Sequence, residues 1–282
     1  MENYESYGVG LECAFEMVDS GEINPEQTDI SFFEIIREGF FRNDRKNFLK
    51  SLAKSGKPVL GHSVEMSLGS AQPFKEEHFS KVKNVLAEIN TVAYSDHLCF
   101  TGNDGIEIGQ LTTLPFTDEV CDILSRNIDR IQNNIPYPFL IENITNRFIV
   151  PECPLSETEV INKVLKNTGC GLLLDLNNLY TNSINFGFDP YQWLAEIPVA
   201  SIMGVHLAGG EWEEGYLYDS HNSIVPSPVW DLYSHVCSLS NPKFTVVEWD
   251  QDCPPMEVLK GEIGKAESIL TPPKKRIQNE FK

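Results

Sequence analysis

Eight short apolar runs are spaced along the chain, and most neighbouring runs are separated by a segment whose apolar residues recur with helical spacing. Repeated strand–helix alternation predicts parallel strands with helical crossovers. Eight such strands that close on themselves form a single (β/α)8 barrel, the TIM-barrel fold, and 282 residues suit one barrel. The runs lie near residues 7–12, 30–36, 58–64, 91–96, 138–142, 171–175, 201–206 and 243–248.

The competing fold is a doubly wound open sheet. Its nucleotide-binding form requires a G-x-G-x-x-G turn after the first strand or a P-loop, and the sequence contains neither. We therefore predict an α/β TIM-barrel domain over residues 1–270. Residues 271–282, which include Lys274, Lys275 and Arg276, are expected to form a basic C-terminal tail.

Three helix starts are visible from their capping residues. Thr117 precedes an acidic first turn, and Ser156 with Glu159 has the spacing of a capping box. Asp189 stands before Pro190, which is favoured at the first helical position. These local signals support the helices between the predicted strands.

The composition limits the partners. The chain has 41 acidic and 22 basic residues, a formal charge of −19, which disfavours nucleic acid and anionic membranes but not a neutral or basic peptide. The first twenty residues lack the apolar segment of a signal peptide, and no run reaches the roughly 20 apolar residues of a membrane span. We expect a cytoplasmic protein.

Six apolar runs end in a histidine or a carboxylate, and successive members of this set are separated by about one βα unit. A single residue of this kind is usually structural or caps a helix. Barrel active sites lie at the C-terminal strand ends, so all six side chains are expected to converge. They are His62, His97, Glu142, Asp175, His206 and Glu248.

Several buried carboxylates are costly to hold together without cations, so the convergence favours a shared metal site. Nitrogen and oxygen donors without thiolate suit iron, manganese or zinc. Asp219, His221 and either Asn177 or Asn178 add further donors, which gives enough for about two or three ions. Glu142, near the middle of the series, is the candidate bridging ligand.

Other motifs have weaker interpretations. The aromatic and acidic segment from Trp212 to Tyr218 predicts a loop over the barrel mouth, either a lid or an exposed insertion. His78 and His235 fall in predicted helices and are interpreted as structural.

From about residue 7 to 265, the chain resembles the multinuclear non-haem iron-dependent oxidative enzymes, the family of the methanobactin-forming oxidase and of the enzyme that excises a cysteine β-carbon in 3-thiaglutamate biosynthesis. The motifs that carry the resemblance are Gly8-Val-Gly-Leu11, His62-Ser-Val-Glu-Met-Ser-Leu-Gly-Ser70, Ser95-Asp-His-Leu98, Ile141-Glu-Asn143, Gly169-Cys-Gly-Leu-Leu-Leu-Asp-Leu-Asn-Asn178, His206-Leu-Ala-Gly209, Asp219-Ser-His221, Val229-Trp-Asp-Leu-Tyr233 and Glu248-Trp-Asp250.

This resemblance implies a TIM barrel that binds two or three irons, in mixed ferrous and ferric states, and uses dioxygen to modify a cysteine of a ribosomally made precursor peptide. The product would arise by β-carbon excision or by an oxazolone and thioamide rearrangement. Family members commonly act with a small partner protein that recognises the leader segment of the peptide, and we expect one here.

The resemblance also implies how the donors are grouped. One iron would be held by His62, His97 and Glu142, a second by Glu142, Asp175, His206 and Glu248, and a third by Asn178, Asp219 and His221. Two departures stand out: Gly210 occupies the place where many members have a histidine, and the segment Glu12-Cys-Ala-Phe-Glu16 is not the commonest version.

Two other functions fit a rim of histidines and carboxylates. One is a zinc- or manganese-dependent barrel, such as a sugar isomerase or an abasic-site endonuclease, although the acidic charge disfavours the nuclease. The other is a non-catalytic metal-binding scaffold. Dioxygen dependence would exclude the isomerase and the nuclease, whereas a scaffold predicts a closed coordination shell and no turnover.

Overall fold

The computed structural model describes residues 6–36, 45–72, 76–103 and 106–270. Within these ranges, eight parallel strands close into a barrel surrounded by helices. The predicted TIM barrel is therefore confirmed, and the open doubly wound sheet is excluded. The predicted basic tail, 271–282, lies outside the described residues.

Each of the eight apolar runs forms one barrel strand. The barrel strands are β1 (Gly8–Glu12), β2 (Phe32–Ile36), β3 (Val59–Ser63), β4 (Thr91–His97), β7 (Phe139–Glu142), β8 (Gly171–Asp175), β9 (Ile202–Leu207) and β12 (Phe244–Val247). Around the barrel they pair in the order β1-β12-β9-β8-β7-β4-β3-β2, and β2 pairs with β1 to close the sheet.

Two antiparallel hairpins follow barrel strands, and the sequence did not predict them. They are formed by β5 (Phe100–Asn103) with β6 (Ile106–Thr112) and by β10 (Glu211–Glu213) with β11 (Tyr216–Tyr218).

Nine helices are present in the described ranges, namely α1 (Phe15–Ser20), α2 (Lys46–Ser55), α3 (Glu76–Glu88), α4 (Asp118–Asn134), α5 (Glu157–Thr168), α6 (Leu176–Phe186), α7 (Pro190–Glu196), α8 (Ser227–Leu239) and α9 (Met256–Leu270). The caps of α4, α5 and α7 are confirmed. Thr117 accepts a hydrogen bond from the Val120 amide, Ser156 and Glu159 form the reciprocal capping box, and Asp189 accepts from the Tyr191 amide before α7.

No helix in the described ranges is long and apolar enough to cross a membrane.

A small apolar layer fills the inside of the barrel, and a larger core lies between the strands and the helices. In the inner layer the rings of Phe32 and Phe244 stack with centroids 5.1 Å apart. Gly204 makes room for them, because a Cβ at this position would lie 2.2 Å from the Phe244 ring. The layer consists of Phe32, Leu60, Ala93, Leu140, Leu173, Phe244 and Val246.

Residues two apart on a strand share a face, so the next inward position toward the C-terminal strand end lies directly above this apolar layer. On five strands that position is charged or titratable: Glu34 after Phe32, His62 after Leu60, Glu142 after Leu140, Asp175 after Leu173 and Glu248 after Val246. The alternation of the strands thus builds a polar layer on top of an apolar one.

Candidate metal centre

The strand-end residues meet at the C-terminal mouth of the barrel. His97, Glu142 and Asp175 are the last residues of their strands, and Glu248 directly follows β12. With His62 they line a cavity of about 320 Å³. His206, from β9, is fully buried beside the cavity and contacts two of its carboxylates. All six predicted residues are therefore brought together.

Among the described residues, four groups of three side chains place one potential ligand atom each within 4.8 Å of one another. The groups share members, so the donors form one continuous cluster rather than separate sites. The groups are His62, His97 and Glu142; Glu34, His206 and Glu248; Glu142, Asp175 and His206; and Asp175, His221 and Glu248.

Glu142 lies between two sets of histidines. Its Oε2 is 3.4 Å from Nε2 of His62 and 3.6 Å from Nε2 of His97. Its other oxygen, Oε1, is 3.1 Å from Nδ1 of His206. A carboxylate whose two oxygens face different donors is placed as a bridging ligand requires, which favours the predicted role of Glu142.

The remaining ring nitrogen of each histidine has its own partner. Nδ1 of His62 lies 2.8 Å from the Ser95 hydroxyl, and Nδ1 of His97 lies 3.2 Å from the Ser63 carbonyl oxygen. These partners orient the rings so that the opposite nitrogen faces Glu142, which is how metal-binding histidines are usually held.

Glu34 is a site residue that the sequence analysis missed. It is fully buried in β2, and its Oε2 lies 2.8 Å from Nε2 of His206. The missed signal is a carboxylate inside the apolar run Phe32-Phe-Glu-Ile-Ile36, where an unpaired charge would be costly. Glu12, the last residue of β1, is Glu34's partner in the strand register and also lines the cavity.

His221 and Asp219 lie in the loop between β11 and α8, at the edge of the cavity. Nε2 of His221 is 2.8 Å from Oδ1 of Asp219, which also accepts a hydrogen bond from the Asn177 amide at 2.6 Å. His221 also lies within ligand distance of Asp175 and Glu248, and the predicted third set of ligands stays a prediction.

Asn178 lines the cavity, but its amide is already engaged on both sides. Its Oδ1 accepts from the Thr145 hydroxyl, and its Nδ2 donates to the Asn143 carbonyl at 3.1 Å. Its backbone amide donates to Oδ1 of Asp175 at 2.7 Å, which caps α6. The assignment of Asn178 as a ligand stays a prediction.

The carboxylates of the cluster oppose one another's ionisation. Burial raises the pKa of Asp175 well above its ordinary value, and the charges of Glu248 and Asp219 act in the same direction. Burial likewise raises the pKa of Glu34 to about 7, although His206 opposes the shift. Burial and like charge thus favour the protonated forms of Asp175 and Glu34, and added positive charge would favour their ionised forms.

The histidines provide part of that positive charge. Burial favours the neutral form of Glu142, but the charges of His206 and His97 hold the pKa of this carboxyl below its ordinary value. Burial also disfavours the charged form of His97, yet Glu142 and Asp96 raise the pKa of His97 to about 9. For His62, burial prevails and lowers the pKa well below its ordinary value.

Several buried carboxylate oxygens accept no hydrogen bond from any residue that the structure describes, which is unusual for buried polar atoms. A bound cation would satisfy these oxygens and their charge, so the donor set fits a metal. The oxygens are Oε2 of Glu12, Oε1 of Glu34, Oε2 of Glu142, Oδ2 of Asp175 and Oε2 of Glu248.

The segment from Trp212 to Tyr218 is a β-hairpin rather than the predicted loop. Asn185 holds its inner strand by bonding both the amide and the carbonyl of Leu217, and the Tyr216 hydroxyl donates to the Asn146 carbonyl. The inner strand therefore forms a fixed wall of the cavity, while Trp212 is exposed on the outer strand.

The position of this hairpin explains why residue 210 is a glycine. A Cβ at position 210 would lie 2.2 Å from the Tyr218 carbonyl oxygen, so a larger side chain would displace the hairpin from its observed position. The absence of the family's common histidine thus goes together with close packing of β11 over the site.

His78 lies in α3, and its structural role stays a prediction. His235 lies in α8, apart from the cavity lining. The His235 ring packs edge-on against Tyr191 with centroids 5.1 Å apart, which agrees with a structural role.

Fold and donors together define a TIM-barrel protein with a candidate metal centre at the C-terminal ends of its strands. Residues 7–271 match the family described as RiPP precursor modification enzyme MbnB/TglH/ChrH, where RiPP denotes a ribosomally synthesised and post-translationally modified peptide. The chain belongs to this enzyme family, and the resemblance seen in its motifs is confirmed.

Relatives cover nearly the whole chain. A UPF0276 protein of Caulobacter vibrioides is 31% identical over 267 residues, which is 94% of each chain. A UPF0276 protein of Rhizorhabdus wittichii is 34% identical over 241 residues, 85% of this chain and 86% of the relative.

Solved structures share the fold at low identity. The 3-keto-D-glucoside 4-epimerase from E. coli has a TM-score of 0.56 and 13% identity, covering 92% of this chain and 98% of the epimerase. D-psicose 3-epimerase from Clostridium cellulolyticum has a TM-score of 0.54 and 11% identity, covering 93% and 96%. At this identity the likeness concerns the barrel alone.

Proposed function

We propose that this protein is a dioxygen-dependent, multinuclear non-haem iron enzyme that oxidatively modifies a cysteine of a RiPP precursor peptide. The modification is either excision of the cysteine β-carbon or an oxazolone and thioamide rearrangement. The observation that carries the proposal is the continuous donor cluster, in which buried carboxylate oxygens without hydrogen bonds face histidine nitrogens.

The inner ions would be held by side chains from the barrel strands. His62 and His97 would bind the first through the Nε2 atoms that face Glu142. Glu142 would extend to the second through its other oxygen, which faces His206. Asp175 and Glu248 would complete that second ion's ligands, since both belong to groups that contain His206.

A third ion would lie at the edge of the cavity. Asp219 and His221 are its proposed ligands, together with Asn178 as the family resemblance implies. Asp175 and Glu248 are within reach of His221 and offer additional oxygen donors there. Two or three irons, in mixed ferrous and ferric states, would neutralise the carboxylates that burial and mutual repulsion otherwise protonate.

The bound irons would deprotonate a coordinated cysteine thiol and supply one-electron chemistry with dioxygen. The chain's residues would do the rest. Ser95, the Ser63 carbonyl and Glu34 hold the histidine rings in place. The inner strand of the β10–β11 hairpin forms a wall beside the cavity.

We further propose that the precursor is delivered by a small partner protein that recognises its leader segment, as the family resemblance implies. Full turnover by the isolated chain at low peptide concentration would contradict this part of the proposal.

The test is a dioxygen-uptake assay on full-length protein loaded anaerobically with ferrous iron. Leader-bearing precursor peptides are compared with matched peptides in which the cysteine is replaced by serine. The masses of the products are measured by mass spectrometry. The proposal requires dioxygen uptake and a mass change only with cysteine peptides. A change that proceeds without dioxygen, or equally with zinc or manganese in place of iron, would favour an isomerase or hydrolase instead.

A further inference from the structure

One arginine lines a cavity that is rich in carboxylates. Among the cavity-lining residues in the described ranges, Arg147 is the only lysine or arginine. No described residue forms a hydrogen bond or ion pair with its guanidinium, and the side chain is exposed. The carboxylates that line the same cavity are Glu12, Glu142, Asp175, Asp219, Glu248 and Asp250.

The backbone that carries Arg147 is fixed. The Asn146 amide donates to Oδ1 of Asn182 at 2.8 Å, and Nδ2 of Asn182 donates to the Ile144 carbonyl, also at 2.8 Å. The Tyr216 hydroxyl donates to the Asn146 carbonyl at 3.2 Å, which joins this loop to the β10–β11 hairpin. A rigid loop thus presents an unpaired guanidinium at the mouth of the cavity.

A guanidinium presents a planar fork of donors that matches a carboxylate, and such charge-assisted bonds are stronger than neutral ones. Because Arg147 pairs with no carboxylate in the described part of the chain, its fork is available to a ligand. A substrate carboxylate entering this mouth would be repelled by the lining carboxylates and attracted by Arg147 and by the bound metals.

The cavity admits only a small part of a peptide, since about 320 Å³ is near the lower end of the range for ligand pockets. The carboxylate that reaches Arg147 must therefore be close in sequence to the cysteine that reaches the metals. Phe148 and Ile149, which are 50% and 60% exposed, follow Arg147 and offer apolar contact to the peptide outside the cavity.

We infer that Arg147 binds a carboxylate of the substrate peptide that belongs to, or lies next to, the reacting cysteine. This inference rests on the proposed function and narrows its substrate to cysteine peptides with an adjacent acid. The carboxylate comes either from a C-terminal cysteine or from a neighbouring aspartate or glutamate side chain.

The experiment measures peptide binding by calorimetry to iron-loaded, full-length protein under anaerobic conditions, where no turnover occurs. Three probes are compared: acetyl-Ala-Ala-Cys with a free C-terminal carboxylate, the same peptide as its amide, and the amide with Asp before Cys. We expect one acidic probe to bind about tenfold or more tightly than the neutral amide. Which acidic probe binds identifies the source of the carboxylate.

The R147Q variant should abolish this preference, and R147K should keep part of it because the charge remains without the fork. R126Q, which removes an exposed arginine from α4, is the matched control and should keep the preference in full. Thermal unfolding checks that all three variants fold.

A preference for acidic probes that survives in R147Q would assign the carboxylate to the metals and overturn the inference. Equal binding of all probes, or no measurable binding at millimolar peptide, would overturn it as well. Dioxygen uptake separates this outcome from failure of the proposed function, because cysteine oxidation can persist without any effect of Arg147.

Discussion

Two groups of potential metal ligands meet in this cavity, and they differ in the backbone structure that positions them. The inner group lies on barrel strands with side chains at most 9% exposed, whereas the outer group lies in the loop after β11 with side chains 14% and 19% exposed. The inner group is His62, His97, Glu142, Asp175, His206 and, directly after β12, Glu248, and the outer group is Asp219 and His221.

The backbone of the two groups differs as well. The inner residues lie on or directly after regular barrel strands, and His62 and Glu142 stand directly above the apolar layer of the barrel. His221 adopts a positive φ of 46°, which is uncommon for a residue other than glycine, and its carbonyl accepts a hydrogen bond from the Asp250 amide. Rigid strands should hold metal firmly, and the loop should form the position that opens to substrate.

The sharpest test of this difference is Glu142→Ala. Glu142 faces three histidines, so its loss should empty more than one metal position and abolish dioxygen uptake. Removing one partner of a buried charged cluster lowers the free energy of unfolding by roughly 3–5 kcal/mol. Metal content per chain, by mass spectrometry, checks this expectation. The exposed Glu119→Ala in α4 serves as control, and full metal content in Glu142→Ala would move the bridge to another residue.

His221→Ala should deplete a single ion. The inner donors do not depend on this loop residue, so the inner ions should remain and the protein should keep its thermal stability. Titration with a chelator should, in the unmodified protein, remove one ion before the others. If His221→Ala lost all metal together, the two groups would not be separable.

Glu34→Gln tests the orientation of His206 without changing volume. Loss of a carboxylate partner to a metal-binding histidine typically lowers metal affinity by about 10–100-fold. The second inner ion should therefore be lost at lower chelator concentration than in the unmodified protein, while the outer ion is unaffected. Unchanged retention of the inner ions would show that Glu34 does not position His206.

Gly204→Ala should lower the stability of the barrel and leave the metal ligands unaffected. The added methyl group would press on the Phe244 ring beneath the site, and overpacking of this kind costs roughly 1–3 kcal/mol of unfolding free energy. Thermal melting should show the loss, with metal content unchanged. Selective loss of one ion would mean that the apolar layer and the donor layer are more tightly coupled than the geometry indicates.

The sequence predicted what depends on local alternation. All eight barrel strands, three helix caps and six strand-end donors follow from apolar periodicity and capping residues. Glu34 was not predicted as a site residue because it lies inside an apolar run instead of at its end. Apolar periodicity alone did not group Asp175 with His206; the family resemblance implied that grouping, and the strand register places the two residues opposite each other.

The β10–β11 hairpin could not be predicted for a similar reason. Its short strands carry mostly polar and aromatic residues, and Asn185, far away in sequence, bonds both the amide and the carbonyl of Leu217 in the inner strand. Long-range side-chain contacts of this kind leave no periodic signal.

The most direct test of the central claim is the metal content of protein purified without dioxygen, with the iron oxidation states read by Mössbauer spectroscopy. We expect about two to three irons per chain, given this number of donors, with ferrous and ferric ions in one cluster. Stoichiometric zinc or manganese that iron does not replace would contradict the account and point to a redox-inactive barrel enzyme.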